Sequence, residues 1–107
     1  MDIEYILVLI TVPSAEVGGA IAQALIDQRL AACVNRLAPV HSLYVWEGKS
    51  TTDLEQLLIV KSRADLFAGQ LVPTVKALHP YQVPEIIALP IVMGSPEYLE
   101  WIDSVTG

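Results

Sequence analysis

The sequence predicts an α+β domain of element order βαββαβ, closed by a further short helix. Three observations carry this. Residues 3–12, 32–46, 54–61 and 85–92 are runs rich in Val, Ile and Leu, bounded by Pro, Gly or polar turns, as strands are. Two segments, 14–29 and 65–78, instead repeat their apolar residues at helical spacing. The cluster Glu47-Gly48-Lys49-Ser50 joins two extended stretches into a hairpin. At 107 residues the chain, 1–107, is one domain.

The first strand is apolar on both alternating faces, Tyr5, Leu7 and Leu9 on one and Ile6, Val8 and Ile10 on the other. A strand covered on both sides sits centrally in its sheet. Pro13-Ser14 stops it. Ser14 caps the first helix, and Glu16 in its first turn faces the positive end of the dipole. Val17, Ile21, Ala24 and Leu25 hold the period to about Arg29. Gly18-Gly19 lowers helix propensity, by up to about 1 kcal/mol per glycine, and reads as a close approach of helix to sheet. No GxGxxG or Walker-type spacing accompanies the pair.

The stretch 32–46 is long and extended, and Pro39 in its middle calls for a bulge or an edge position. The second helix opens at Asp65 with an inner face of Phe67, Leu71, Val75 and Leu78. Pro73 inside that pattern predicts a kink or break. His79-Pro80-Tyr81 ends the helix, and Pro84 bounds the fourth strand. Ser95-Pro96-Glu97 is a strong start for a last helix carrying Tyr98, Trp101 and Ile102.

This order is the split-βαβ, ferredoxin-like sandwich, with both main helices on one face of a four-stranded antiparallel sheet. The other face is left bare although the strands are apolar on both sides. Composition agrees: hydrophobic residues make up 53% of the chain and charged residues 17%. A domain this small has a large surface for its volume, so the excess implies membrane insertion or burial against a partner. The longest apolar run, 5–12, has strand length and falls far short of a spanning helix. Asp2 and Glu4 precede it, which makes a poor signal peptide. The expectation is a soluble, intracellular oligomer without a membrane partner. A net charge of −6 with only six Lys and Arg residues argues against nucleic acid. The single Cys33 excludes an intrachain disulfide and a Cys-rich zinc module.

Three segments, Leu30-Ala31-Ala32-Cys33-Val34-Asn35, Tyr44-Val45-Trp46-Glu47-Gly48-Lys49 and the run from Leu78-His79-Pro80-Tyr81 through Pro84-Glu85-Ile86 to Ile91, carry a resemblance. The chain closely resembles the CutA-type divalent-cation-tolerance proteins over nearly its whole length. The resemblance implies a ferredoxin-like subunit in a homotrimer related in architecture to the PII signalling proteins. It also implies a cytoplasmic bacterial location and a role in the response to metal ions. No cofactor is obligatory; Cu(II) or another divalent cation is the candidate bound ion.

In some relatives copper binding is attributed to a Cys in the first strand and a His-His pair before Pro-Tyr. The matching positions here are Ile10 and Leu78-His79, so only His79 carries over. Cys33 is either a small buried hydrophobe or a partner to His79. His41, alone in a strand, reads as a surface or packing residue. A second group is His79, Tyr81 and Glu85, in a loop fixed by Pro80 and Pro84, which either packs on a neighbouring subunit or forms a site. A third is Tyr44, Trp46, Glu47 and Lys49 at the hairpin end, where aromatics two residues apart form an interface anchor or a ligand platform. In a PII-like trimer these merge: Trp46 and Glu47 of one subunit approach Tyr81 and Glu85 of another, with Lys61 and Arg29 as partners for a small anionic ligand. With no HExxH, nucleophile elbow or supported triad, catalysis is not expected.

Overall fold

The computed structural model describes residues 4–107. Ile3, the expected first strand residue, and Asp2 lie outside the described residues. The elements are β1 (Tyr5–Val12), α1 (Ala15–Asp27), β2 (Cys33–Trp46), β3 (Lys49–Arg63), α2 (Val72–Leu78), β4 (Ile86–Pro90) and α3 (Pro96–Val105). A 3₁₀ turn (Ala64–Leu66) and a π-helical turn (Phe67–Leu71) lead into α2. The sheet order is β2-β3-β1-β4, antiparallel throughout, with β1 and β3 central. Among the described residues no helix is long and apolar enough to cross a membrane.

The two faces of β1 behave as their alternation demands. Ile6, Val8, Ile10 and Val12 are buried and meet Ile21 and Leu25 of α1, Leu58 and Val60 of β3, and Leu71 and Val75. Each such side chain contributes roughly 1.5–3 kcal/mol by leaving water. Register places Leu7 and Leu9 beside Ile59 and Lys61 on one side and Ile87 and Leu89 on the other. That face lies away from the main core, and Ile87 and Leu89 are 50% and 44% exposed. Helix α3 meets its Tyr5 end, where Tyr5, Arg63 and Asp103 line one pocket, and Ile102 of α3 is buried outside the main core cluster. Arg63 holds α3 there, its Nη1 donating to Thr106 O at 3.1 Å.

Ser14 caps α1 as its sequence suggests, its Oγ accepting from Val17 N–H at 3.2 Å. Gly18 is a close approach: a Cβ there would lie 3.1 Å from Val12 Cγ2 and 2.9 Å from Gln56 Oε1. Pairing of β2 with β3 slips between Leu37 and Val40, where the Ala38-Pro39 peptide is cis.

Four expectations need correction. The hairpin turn holds two residues, Glu47 and Gly48, both at positive φ (50° and 77°), because Lys49 already pairs with Trp46. That is the twist a two-residue hairpin requires. Accordingly β3 begins at Lys49, not Leu54; its polar outer part pairs in a ribbon beyond the core, where no apolar pattern marks it. Strand β4 is confined to Ile86–Pro90, the residues opposite β1. In the second helix Leu78 points outward, 43% exposed, and His79 is buried in its place. The π-helical turn is the cause. Val72 N–H reaches back to Phe67 O, one residue farther than an α-helix, which shifts the phase of everything after it. Pro73 follows this turn directly, inside the helical run from Ala64 to Leu78, so the break its ring calls for takes the form of the π-helical step.

Candidate functional site

Where the β2–β3 ribbon leaves the sheet, the loop from α2 to β4 folds beside it and encloses a cleft of about 680 Å³. Ser42, Tyr44 and Trp46, spaced by two along β2, share the face that lines it. Glu55 enters from β3 and Thr11 from the end of β1. The loop supplies Tyr81 and Glu85. The volume is that of a small-molecule site.

A hydrogen-bond chain ties loop to sheet. Tyr81 OH donates to Glu55 Oε2 at 2.9 Å. The Tyr81 backbone N–H donates to His79 Nδ1 at 3.1 Å, and His79 Nε2 lies 2.8 Å from Thr11 O. An N–H can only donate and a carbonyl only accept, so the imidazole proton is on Nε2. The His79 and Tyr81 rings also pack, their centroids 4.7 Å apart. Glu55 is only 6% exposed. On the ribbon, Tyr44 OH donates to the Asp53 carboxylate. Burial, then the bond to Glu55, pushes the Tyr81 phenol well above its ordinary value. The bond to Asp53 raises that of Tyr44. Both tyrosines are thus held as donors, not phenolates.

A single chain therefore brings Trp46, Tyr81 and Glu85 together. Glu47 lies beyond the cleft, in the exposed turn, and Lys49 beside it. Lys61 is on the open sheet face, bonded to Asn35 Oδ1, which Cys33 Sγ also approaches at 3.8 Å. Arg29 is at the end of α1, where its Nε donates to Gly107 O at 2.9 Å and anchors the segment after α3. Lys61 and Arg29 do not line the cleft, and among the described residues no Lys or Arg does. Its acidic side chains are the carboxyls of Glu55 and Glu85. His41 is exposed on the ribbon. Cys33 shares the cross-strand row of Lys61 and Leu7, four residues along β1 from Thr11, about 13 Å from the row of His79.

Sequence reasoning missed Glu55, Asp53 and Thr11. Glu55 did carry a signal: it alternates with Leu57 and Ile59 on one strand face, where a carboxylate needs a partner.

A profile described as CutA1 divalent ion tolerance protein matches residues 6–105. The chain belongs to this family. A divalent-cation tolerance protein CutA of Thermus thermophilus is 54% identical over 101 residues, 94% of this chain and 97% of the relative. A chloroplastic CutA 1 of rice is 50% identical over 94% of this chain and 56% of its own length. The solved Thermus thermophilus Cut A1 structure superposes at TM-score 0.93, with 52% identity, over 96% of this chain and 99% of that one. A structure described as the periplasmic divalent cation tolerance protein CutA of Archaeoglobus fulgidus gives 0.90 at 42% identity, covering 94% of this chain and 97% of that one.

The copper set implied by the family resemblance does not fit this member. Ile10 is a fully buried hydrocarbon, Leu78 an exposed one, and both His79 nitrogens are already bonded. Among the described residues no three His, Cys, Asp or Glu side chains converge as a metal site.

Proposed function

We propose that this CutA family member is a non-enzymatic, cytoplasmic binding protein, working as a homotrimer in a PII-like way and taking up a small ligand or metal ion in the cleft of Trp46, Tyr81 and Glu85. One observation carries the reading: a cleft of small-molecule size is lined by these residues, with its loop wall fixed through Tyr81 to the buried Glu55. The apolar sheet face of Leu7, Leu9, Ile59 and Leu89 supports self-association, and so does the ribbon, whose Leu43 and Val45 are 75% and 73% exposed. The same face on other copies is its economical cover.

Two measurements test this. Light scattering at micromolar concentration is expected to give three times the 11.7 kDa chain mass; a folded monomer would refute the trimer. Calorimetric titration with Cu(II), nucleotides and amine buffers is expected to yield one saturable ligand whose binding is lost in Trp46→Ala. Tight Cu(II) binding that survives Trp46→Ala and disappears in His79→Ala would move the site to His79.

A further inference from the structure

We infer that the cleft is built for a small organic cation, an alkylammonium group, and not for the anion that the sequence suggested. The inference rests on the reading of this cleft as the ligand site and goes on to its chemistry.

Charge is the first argument. Two carboxylates, Glu55 and Glu85, line the cleft, and Asp53 adjoins it through Tyr44. No Lys or Arg among the described residues lines it, so an anion would meet repulsion without a counter-charge. The donor set is the second. Fewer than three metal-ligating side chains converge, whereas three aromatic residues, Tyr44, Trp46 and Tyr81, share the walls. Aromatic rings attract desolvated organic cations through their quadrupoles, by roughly 0.5–2 kcal/mol each. The third is the use of the hydroxyls. Tyr44 and Tyr81 both donate to carboxylates. Such a bond spends the hydroxyl's donor, which an anionic ligand would need, and pushes electron density into the ring, which a cation gains from.

The test is calorimetric titration of the full chain with tetramethylammonium chloride, tert-butanol as its neutral counterpart, and inorganic phosphate. The expected result is saturable binding of tetramethylammonium alone. It should weaken about 2- to 30-fold in Trp46→Leu, the loss of roughly one cation–π contact. It should weaken also in Glu85→Gln, an exposed position whose change leaves the fold in place, and with added salt. Equal binding of tert-butanol, or no binding of tetramethylammonium, overturns the inference. If phosphate binds and loses affinity in Trp46→Leu, the cleft remains the ligand site and only its charge preference is wrong. If no probe binds in a way sensitive to Trp46 or Glu85, the cleft reading falls too.

Discussion

The Tyr81 hydroxyl meets Glu55 Oε2 at 2.9 Å and so joins the loop after α2 to the middle of β3, with the carboxylate almost wholly out of water. A buried carboxylate is costly unless hydrogen-bonded, so each residue of the pair holds the other in place.

Tyr81→Phe leaves Glu55 short of that partner. The expected loss is about 1.5–3 kcal/mol, the range for a bond to a charged group. Glu55→Gln keeps an acceptor and should lose less. Urea unfolding of both, at one fixed chain concentration, checks the order; a Tyr81→Phe protein as stable as the parent would show the bond contributes nothing.

The two adjacent glycines should respond in opposite directions. At Gly18 an alanine Cβ meets the fully buried Val12 side chain, and overpacking costs about 1–3 kcal/mol. At Gly19 the nearest atom is Arg36 Nη1 at 3.4 Å, an ordinary van der Waals distance, so no neighbour has to move. Gly19→Ala should therefore gain up to about 1 kcal/mol of helix propensity. Thermal midpoints of the two variants decide it.

Pro73→Ala separates a proline that strains its helix from one accommodated by the π-helical step before it. Relief of an interior proline would stabilise the protein by about 3 kcal/mol. Directly after the π turn, where the regular i−4 bonding is already interrupted, the change should instead cost about 0.4–1 kcal/mol, because the unfolded chain becomes freer. A large gain in the urea midpoint would contradict the placement of Pro73.

All four tyrosines are held above the ordinary phenol value of 10.0, Tyr44 chiefly by its bond to Asp53 and Tyr5, Tyr81 and Tyr98 chiefly by desolvation. The folded state keeps these protons where the unfolded chain releases them. Their contribution to stability is therefore complete below pH 10.0 and is lost as pH rises above it through the folded values. Stability by urea unfolding should decline above pH 10, with a shallower decline in Tyr81→Phe. The tyrosinate absorbance of the native protein should appear at higher pH than that of the urea-unfolded chain.

The four strands, the cap at Ser14, the bulge at Pro39 and the two-sided apolar pattern of β1 were legible in the sequence, because each rests on alternation or on one residue's local chemistry. The outer half of β3 was not: Ser50, Thr51, Thr52 and Asp53 pair with β2 beyond the core, where pairing needs no hydrophobic period. At the site, Trp46, Tyr81 and Glu85 were legible as residues of the right kind. Glu55 was hidden in an apolar strand, and its partnership with Tyr81 depends on a loop path that no local signal encodes. Lys61 and Arg29 were chosen for charge alone; strand register and the anchoring of Gly107 place them elsewhere.

The π-helical turn at Phe67–Leu71 gives chain length a chemical consequence. Buried positions run Leu66, Leu71, Val75 and His79, a step of five followed by steps of four. Each residue of an α-helix turns by about 100°. Wound as an uninterrupted α-helix, the same residues would step by four from Leu66 through Gln70 and Thr74 to Leu78, delivering Leu78 rather than His79 beneath the carbonyl of Thr11, and the Tyr81 N–H would find a hydrocarbon instead of an imidazole. The one additional residue that the π turn accommodates, well away from the cleft, thus decides which side chain serves as the cleft's central hydrogen-bond relay.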